Sequence, residues 1–544
     1  MADMERTALE PTGLLFEALA SPNAAHSAVR FIPGDGRCWT GRDFDEASRE
    51  VAAWLRRRIG TGNSLAAVLA SSFDSLAVVL GALRSGVRLV SLPYPARGAT
   101  WAEYRSQITQ MCSLTEAVAL VVDHRYKPFT EAIGIPVYCF EECRKGVGDG
   151  GGDMPGGFVQ FSSGSTSWPK GIELSLGAVE SNLVAMMDIY RPGAYETACS
   201  WLPLSHDMGL FGMCGMALAA SHPRWSTVGQ LVLIDPLHFL ADPRVWLQTC
   251  SEYRASFTAV PPSALGLVTR TLRPGRSLDL SALRALVVGS EPVRAELLRR
   301  FATAAERFGM NRRALCPAYG LGEATLGVTA VRAGEEWTVA TVHAGELGQA
   351  RWVEHDSGQE IVSCGRPLPG VEVRVRDGDS LGRLELRSPG LLSGYVGDGD
   401  LPMTPDGWFG TTDIGHIGGN GEVYVIGRAD DVCFVAGRNV YLHDLDPVIE
   451  AHPLVRPGGG VAIAGPTGSV VVVAECRRPA LGTEDLLAAC REIRAEVVSR
   501  CSVRPSVVLL TRPGMVPRTP SGKIRRRQLS ASYAADDVPI LVSV

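Results

Sequence analysis

Val159-Gln160-Phe161-Ser162-Ser163-Gly164-Ser165-Thr166-Ser167-Trp168-Pro169-Lys170-Gly171 carries the first firm chemical signal in the chain. An apolar, β-like lead-in runs into a loop of small hydroxyl residues and glycine, closed by a proline and a lysine. Small residues let backbone N–H groups approach an anion closely. Hydroxyls donate to its oxygens, and a lysine adds a mobile positive charge. The pattern is one for handling phosphate, although G-x-x-x-x-G-K-[ST] does not fit it. The lysine stands out: Lys127, Lys145, Lys170 and Lys523 are the four lysines among 53 basic residues, the rest being arginine. In such a background Lys170 and Lys523, both in Gly/Ser-rich contexts, read as places that need a compact ammonium on a flexible stem, while Lys127 and Lys145 read as chance. Lys523 sits in a second Gly/Ser context, Pro520-Ser521-Gly522-Lys523-Ile524-Arg525.

Outward from the loop, apolar runs and helical patterns alternate. Residues 65–69 read as a strand, 75–85 as a helix ending at Gly86, and 88–92 as a second strand closed by Pro93-Tyr94-Pro95. The rhythm recurs at 118–123, 231–234, 257–260 and 286–288, which predicts an α/β fold with parallel sheets covered by helices. Residues 146–157 read as a flexible connector. Its formal G-x-G-x-x-G at Gly146, Gly148 and Gly151 follows a charged stretch and opens no helix, so it is not read as a dinucleotide site. After about residue 363, short runs with turn glycines (371–376, 383–387, 423–426) predict a small β-rich subdomain. A polar break at 427–431 precedes a stretch long enough for a separate small domain, with a strand at 470–475 and a helix at 484–500.

The 544 residues suggest three or four structural units at roughly 150 residues each. A content of 46% hydrophobic and 20% charged residues is ordinary globular usage and excludes a mainly disordered or fibrous chain. No long uncharged apolar run predicts a spanning helix, and the acidic start lacks a secretory pattern. A net charge of -5 gives no reason to expect a nucleic-acid partner. Thirteen scattered cysteines without C-x-x-C, and no H-E-x-x-H, point to reduced thiols in a cytoplasmic protein without structural zinc.

The phosphate loop resembles that of the adenylate-forming superfamily: acyl-CoA synthetases, peptide-synthetase adenylation domains, luciferases and fatty acyl-AMP ligases. Further motifs follow in the family's order over roughly residues 40–530. Trp201-Leu202-Pro203-Leu204-Ser205-His206-Asp207-Met208-Gly209-Leu210 resembles the fatty acyl-AMP ligase form of the next motif. Gly289-Ser290-Glu291-Pro292 resembles the adenine-contacting turn, and Tyr319-Gly320-Leu321-Gly322-Glu323-Ala324-Thr325-Leu326 the motif of adenine stacking and magnesium binding. Cys364-Gly365-Arg366-Pro367, Gly407-Trp408-Phe409-Gly410-Thr411-Thr412-Asp413 and Gly427-Arg428 follow, and the Lys523 segment resembles the terminal catalytic-lysine motif.

The resemblance implies ATP and Mg²⁺ as cofactors and a carboxylic acid as substrate. Ser162, Ser163, Gly164, Ser165, Thr166 and Lys170 would cradle phosphates. Gly289, Ser290, Glu291, Pro292, Tyr319 and Gly320 would hold adenine, and Asp413 and Arg428 the ribose. Glu323 and Thr166 would face the metal, and Lys523, His206 and Glu323 would be catalytic. His206, Asp207, Met208, Gly209, Gly212, Val260 and Pro261 would form the acyl pocket. It also implies a large N-terminal adenylation domain (residues 1–429) of parallel-sheet subdomains plus the β-rich subdomain, and a mobile α+β lid (430–544) hinged at Asp430.

Three features resemble the acyl-AMP ligase branch: the segment at His206-Asp207-Met208-Gly209-Leu210, Cys364-Gly365-Arg366-Pro367-Leu368-Pro369-Gly370, and Gly437-Arg438-Asn439-Val440-Tyr441. Residues 331–362 stand where that branch carries an insertion that restrains lid rotation, with acyl transfer to a carrier-protein thiol. There are departures. Ser167 replaces a loop glycine, Gly322 an alanine and Val440 a histidine. Ala259-Val260-Pro261-Pro262-Ser263-Ala264-Leu265 replaces a segment that lines the acyl channel, so the pocket is expected to differ in shape from one for a long fatty acid. Other readings stay open at this point: an acyl- or aryl-CoA ligase, an amino-acid adenylating enzyme, an enzyme activating an oxyacid such as nitrite, or a non-catalytic nucleotide-binding homologue.

Overall fold

The β-α-β rhythm resolves into two sheets with parallel cores. In the computed structural model, residues 13–95, 100–145, 152–161, 170–190, 195–225, 227–273, 277–397, 400–435, 438–518 and 523–544 are described. The first sheet orders its described strands as Ala28–Ile32, Val228–Ile234, Tyr195–Ser200, Phe257–Val260, Ala285–Val288, Leu315–Gly320, Gly327–Ala330 and Arg366–Pro367. Its first six are parallel and its last pairings antiparallel. The second orders Gly394–Tyr395, Gly171–Ser175, Gly157–Phe161, Arg88–Ser91, Ser64–Ala67, Ala117–Val122 and Val137–Cys139, parallel from Gly157–Phe161 onward. One apolar cluster joins them: Leu65, Leu89 and Phe158 of the second sheet belong with Leu231, Val260 and Leu315 of the first. The other face of the second sheet (Ala66, Val90, Val159) packs against the helix Trp101–Leu114. Strands buried on both faces explain the unbroken apolar runs in the sequence.

The β-rich part is an antiparallel sheet, Glu372–Val375, Gly382–Arg387, Phe409–Ile417 and Val423–Arg428. The polar break shrinks to the turn Ala429–Asp431, because the last strand continues to Arg428. A hairpin, Val432–Val435 with Arg438–Tyr441, leads to a final sheet of Val455–Ala464, Val470–Cys476, Val507–Thr511 and Ile540–Ser543. Strand alternation sorts its side chains between two layers. Val470, Val472 and Ala474 pack toward the helices Leu442–Glu450 and Thr483–Cys501, while Val471 and Val473 pack toward the helix Arg526–Ala534. The segment 331–362 forms an antiparallel pair, Val339–Val342 with Gln359–Val362, and touches this C-terminal part. The Asn439 N–H donates to Gly348 O at 2.7 Å, and Tyr441 packs in one cluster with Ala340, Val342, Leu347 and Ile361.

Arg84 shows what joins the early helices. It follows the helix Phe73–Leu83 and is 1% exposed. Its guanidinium lies 3.0 Å from Asp45, on the helix Gly41–Arg58, and 4.4 Å over the Phe16 ring. Gly86 takes φ +74 two residues beyond the helix cap, releasing the chain into the next strand. Removing one partner of a buried pair leaves an uncompensated charge, so Arg84→Ala should cost about 3 kcal/mol. All ten tryptophans precede residue 409, so tryptophan fluorescence in urea reads this lobe selectively; an unchanged midpoint would show that the pair is not structural.

Candidate active site

Four neighbouring parallel strands end on one edge, and a motif follows each end: the His206 segment after Ser200, Pro261 after Val260, the Ser290 turn after Val288, and the Tyr319 motif at the end of Leu315–Gly320. Ligands of open α/β sheets bind at such carboxyl ends. There a cavity of about 730 Å³ opens between the sheets, the β-rich part and the C-terminal part. Among its walls are Lys170, His206, Asp207, Glu323, Tyr319, Asp413, Arg428, Asp430 and Lys523. The loop residues Ser162, Ser163, Gly164, Ser165 and Thr166 lie outside the described residues.

The nucleotide end is organised by Tyr319. Its hydroxyl donates to Asp413 Oδ2 at 2.7 Å. Asp413 sits opposite Arg428 in the strand register, with Nε 3.8 Å from Oδ1, while Arg428 also donates to Thr412 Oγ1 at 2.9 Å. Burial pushes the Asp413 carboxyl above its ordinary range, against the pull of Arg428 and the Tyr319 hydroxyl. Gly289 and Pro292 line the same end. Ser290 holds φ +66, and its buried Oγ finds no hydrogen-bond partner among the described residues. A strained turn offering an orphaned hydroxyl suits a bound polar ligand. Glu291 lines the wall, yet its carboxylate is engaged by Ser263, accepting from N–H at 2.8 Å and Oγ at 3.0 Å, so it anchors the start of the helix Pro262–Thr269.

Next to this end, Glu323 accepts from the Tyr395 hydroxyl at 3.2 Å, and Lys170 Nζ lies 4.9 Å over the Tyr395 ring. Tyr395 thus ties the lysine that closes the phosphate loop to the candidate metal carboxylate. The turn carrying Glu323 is locked: Thr325 takes φ +67, is fully buried and donates to Gly390 O at 2.8 Å. Gly320 is obligatory there, since a Cβ would stand 1.9 Å from Leu326 O. Burial pushes the Glu323 carboxyl up, opposed by its own backbone N–H and by Tyr395.

At the acid end, His206 Nδ1 lies 2.6 Å from Asp207 Oδ1, which also accepts from Met208 N–H at 2.7 Å and opens the π-helical turn Met208–Gly215. Burial pushes the Asp207 carboxyl up, but His206, Lys523 and that N–H outweigh it and hold the group below its ordinary value. An apolar arm runs inward past Met208, Met216, Met186, Ala259, Phe257 and Tyr190. Gly212 is in the wall, and a Cβ on it would meet Leu326 Cδ2 at 2.8 Å. Three expected pocket residues are not in the wall. Val260 points away because strand alternation turns Phe257 and Ala259 inward, Pro261 caps the helix Pro262–Thr269, and Gly209 is pressed on the Pro203 carbonyl, 2.3 Å from where a Cβ would be. Of the departing segment, Ala259 is the residue that shapes the arm.

Lys523 reaches the cavity from the C-terminal part. Its segment is tied down by Arg525 N–H donating to Pro517 O at 2.9 Å and by the buried pair Arg526–Asp446 at 2.7 Å. Burial pulls the Lys523 ammonium down from its ordinary value, with Asp207 and Glu291 supporting the charge and Arg428 opposing it. Asp430, in the turn before the hairpin, pairs with Arg527 at 2.6 Å.

The AMP-binding enzyme profile matches residues 157–396. A Mycobacterium tuberculosis protein named as a ligase is 30% identical over 519 residues, covering 90% of this chain and 93% of its own. The chain belongs to the AMP-binding enzyme family. The medium-chain-fatty-acid–[acyl-carrier-protein] ligase JamA of Moorena producens is 31% identical over 399 residues, 68% of this chain and 66% of that one. A solved structure from a study of fatty acyl-adenylate ligases from E. coli and L. pneumophila superposes with a TM-score of 0.86 at 23% identity, over 96% of this chain and 97% of that one. As an AMP-binding enzyme, the protein is an adenylate-forming ligase of the α/β architecture expected from its motifs. Tyr395 and Thr412 also line the cavity, and the motif reading gave neither a role; a tyrosine in Ser393-Gly394-Tyr395 gives no signal until the strand pairing sets it opposite Ile172.

Because burial makes the charged Asp413 costly, neutralising it isosterically should raise thermal stability at neutral pH while weakening ATP. For Asp413→Asn the gain should be present above the raised folded pKa and fade as pH falls through it toward the unfolded value of about 3.9. The KM for ATP should rise at least about tenfold, near 1.4 kcal/mol of lost binding. Unfolding midpoints against pH, with ATP kinetics, check both arms.

Proposed function

We propose that the protein condenses a fatty acid with ATP to give acyl-adenylate and pyrophosphate, then passes the acyl group to the phosphopantetheine thiol of a carrier protein. The observation that carries the reading is Lys523: its amine enters the cavity where the acid arm meets the nucleotide end, next to Asp207.

A carboxylate oxygen attacks the α-phosphorus of ATP, and the bond to the β-bridging oxygen breaks with its electron pair leaving on pyrophosphate. Negative charge concentrates on the α-phosphate oxygens, where a cation held out of bulk water is most effective. Lys523 is that cation, and it draws the incoming carboxylate to the same point. His206, oriented by Asp207, stands at the mouth of the acid arm. Tyr319 presents its ring to adenine, and Asp413 and Arg428 take the ribose. Mg²⁺ fits Glu323, a carboxylate in a partly desolvated wall whose charge a hard cation would balance, while Thr166 is outside the described residues. When bound, the ion would neutralise charge on the phosphates. In the second half-reaction a thiolate attacks the acyl carbonyl and AMP departs.

The apolar arm past Met208, Met216 and Phe257 supports an aliphatic acid, as do the fatty-acid names of JamA and of the superposing ligases. Division into a domain of residues 1–429 and a lid of 430–544 with its pivot at Asp430 accords with the separate apolar clusters that begin at Cys433. The contacts between the 331–362 hairpin and the 432–441 hairpin support a restrained lid, and with it a carrier protein in preference to CoA.

Exchange of labelled pyrophosphate into ATP across a panel of acids tests the first half-reaction. Fatty acids should drive exchange; exchange with aryl or amino acids alone would replace the substrate class, and none with any carboxylic acid, despite ATP binding, would favour a non-catalytic homologue or an enzyme for an oxyacid such as nitrite. Lys523→Ala should lower adenylate formation at least about a hundredfold and shift ATP binding by less than about tenfold; near-normal adenylation would refute its role. Holo carrier protein added to preformed adenylate should be acylated faster than CoA.

A further inference from the structure

A second cluster of chemically active side chains lies away from the cavity. The strands Ala117–Val122 and Val137–Cys139 run parallel at one edge of the second sheet, with Val122 opposite Cys139. Their ends therefore stop side by side. His124 follows the first, Cys139 closes the second, and Glu141 stands in the turn Phe140–Arg144 that leaves it. His124 Nδ1 is 3.1 Å from Cys139 Sγ, and His124 Nε2 is 3.3 Å from Glu141 Oε2. One ligand atom from each residue can be chosen so that all lie within 4.8 Å of one another. None of the three lines the catalytic cavity.

We propose that His124, Cys139 and Glu141 form a binding site for a borderline divalent cation such as Zn²⁺. The donor set mixes thiolate, imidazole and carboxylate, the combination that such ions take, and three protein ligands leave a fourth position for water. In a tetrahedral zinc site, neighbouring nitrogen, oxygen and sulfur ligands stand roughly 3.3–3.6 Å apart. The imidazole–carboxylate spacing already matches. The sulfur needs the ring to swing aside: Cys139 is fully buried, whereas the His124 and Glu141 side chains are 71% and 55% exposed and able to re-aim.

The surroundings leave these groups available. Asp123 is turned to Arg125 at 3.0 Å. Glu142 is held by Lys127 at 3.2 Å and by the Cys139 N–H, so it fixes the turn without competing. When the sulfur binds the ion, the metal–sulfur bond forms as the S–H bond breaks, and the proton leaves to water.

The test is a titration of reduced, chelator-treated full-length protein with Zn²⁺ against a chromophoric competitor. Wild type should bind one equivalent at least tenfold more tightly than His124→Ala, a change at an exposed side chain that leaves the core intact. Glu141→Gln should weaken binding as well. Co²⁺ in place of Zn²⁺ should give a thiolate-to-metal charge-transfer band that Cys139→Ser removes, while acid-dependent pyrophosphate exchange continues in all three variants. Identical Zn²⁺ titrations for wild type and His124→Ala, or a cobalt–thiolate band that survives Cys139→Ser, would overturn the site.

Discussion

An ammonium taken out of water must find negative charge, and the active cleft is arranged around that requirement. Lys523 is delivered from a segment that its own sheet holds firmly, through Arg526 on Asp446 and Arg525 on Pro517. At its destination Asp207 and Glu291 face it and support its charge. Neither carboxylate is idle: Asp207 orients His206 and opens a π-helical turn, and Glu291 pins the start of a neighbouring helix. The amine thereby meets negative charge before any nucleotide arrives, at a point reached by both the apolar arm and the ribose end. Preorganisation of this kind places the cost of desolvation in folding, not in the chemical step.

The site was legible where chemistry demands particular residue types in a fixed order. Tyr319, Glu323, Asp413, Arg428 and Lys523 converge on one cavity although some two hundred residues separate the first from the last. What the motifs could not convey was direction. Val260 and Pro261 belong to a segment that departs from the family pattern, but the period of a β-strand turns Ala259 inward and Val260 outward, and a proline at a helix start is a cap. Glu291 lines the cavity wall, and its bond to Ser263 is a link that its motif does not announce. Tyr395 was invisible because its role depends on pairing with a strand more than two hundred residues earlier.

The same division holds for the fold. Buried parallel strands announce themselves as apolar runs, and 257–260 coincided with the observed strand Phe257–Val260. Boundaries slipped where polar residues complete a strand, as at Gly427 and Arg428, since ladder hydrogen bonds do not require apolar side chains. The interior Arg84, with Asp45 beside it, is the sort of feature that composition hides: an arginine among forty-nine gives no warning that it will be 1% exposed.

The pair Val339–Val342 with Gln359–Val362 meets the hairpin of Val432–Val435 with Arg438–Tyr441 through apolar side chains, Ala340, Val342, Leu347 and Ile361 around Tyr441, with Asn439 N–H donating to Gly348 O and Gln359 donating to Asp444 close by. The hydrocarbon share of this contact has a thermal character. Its grip is entropic near room temperature and slackens as the solution cools, whereas an ionic latch would respond chiefly to salt. That share should weaken in the cold, while the polar links beside it, Gln359 on Asp444 and Arg294 on the His443 carbonyl, do not follow the same course.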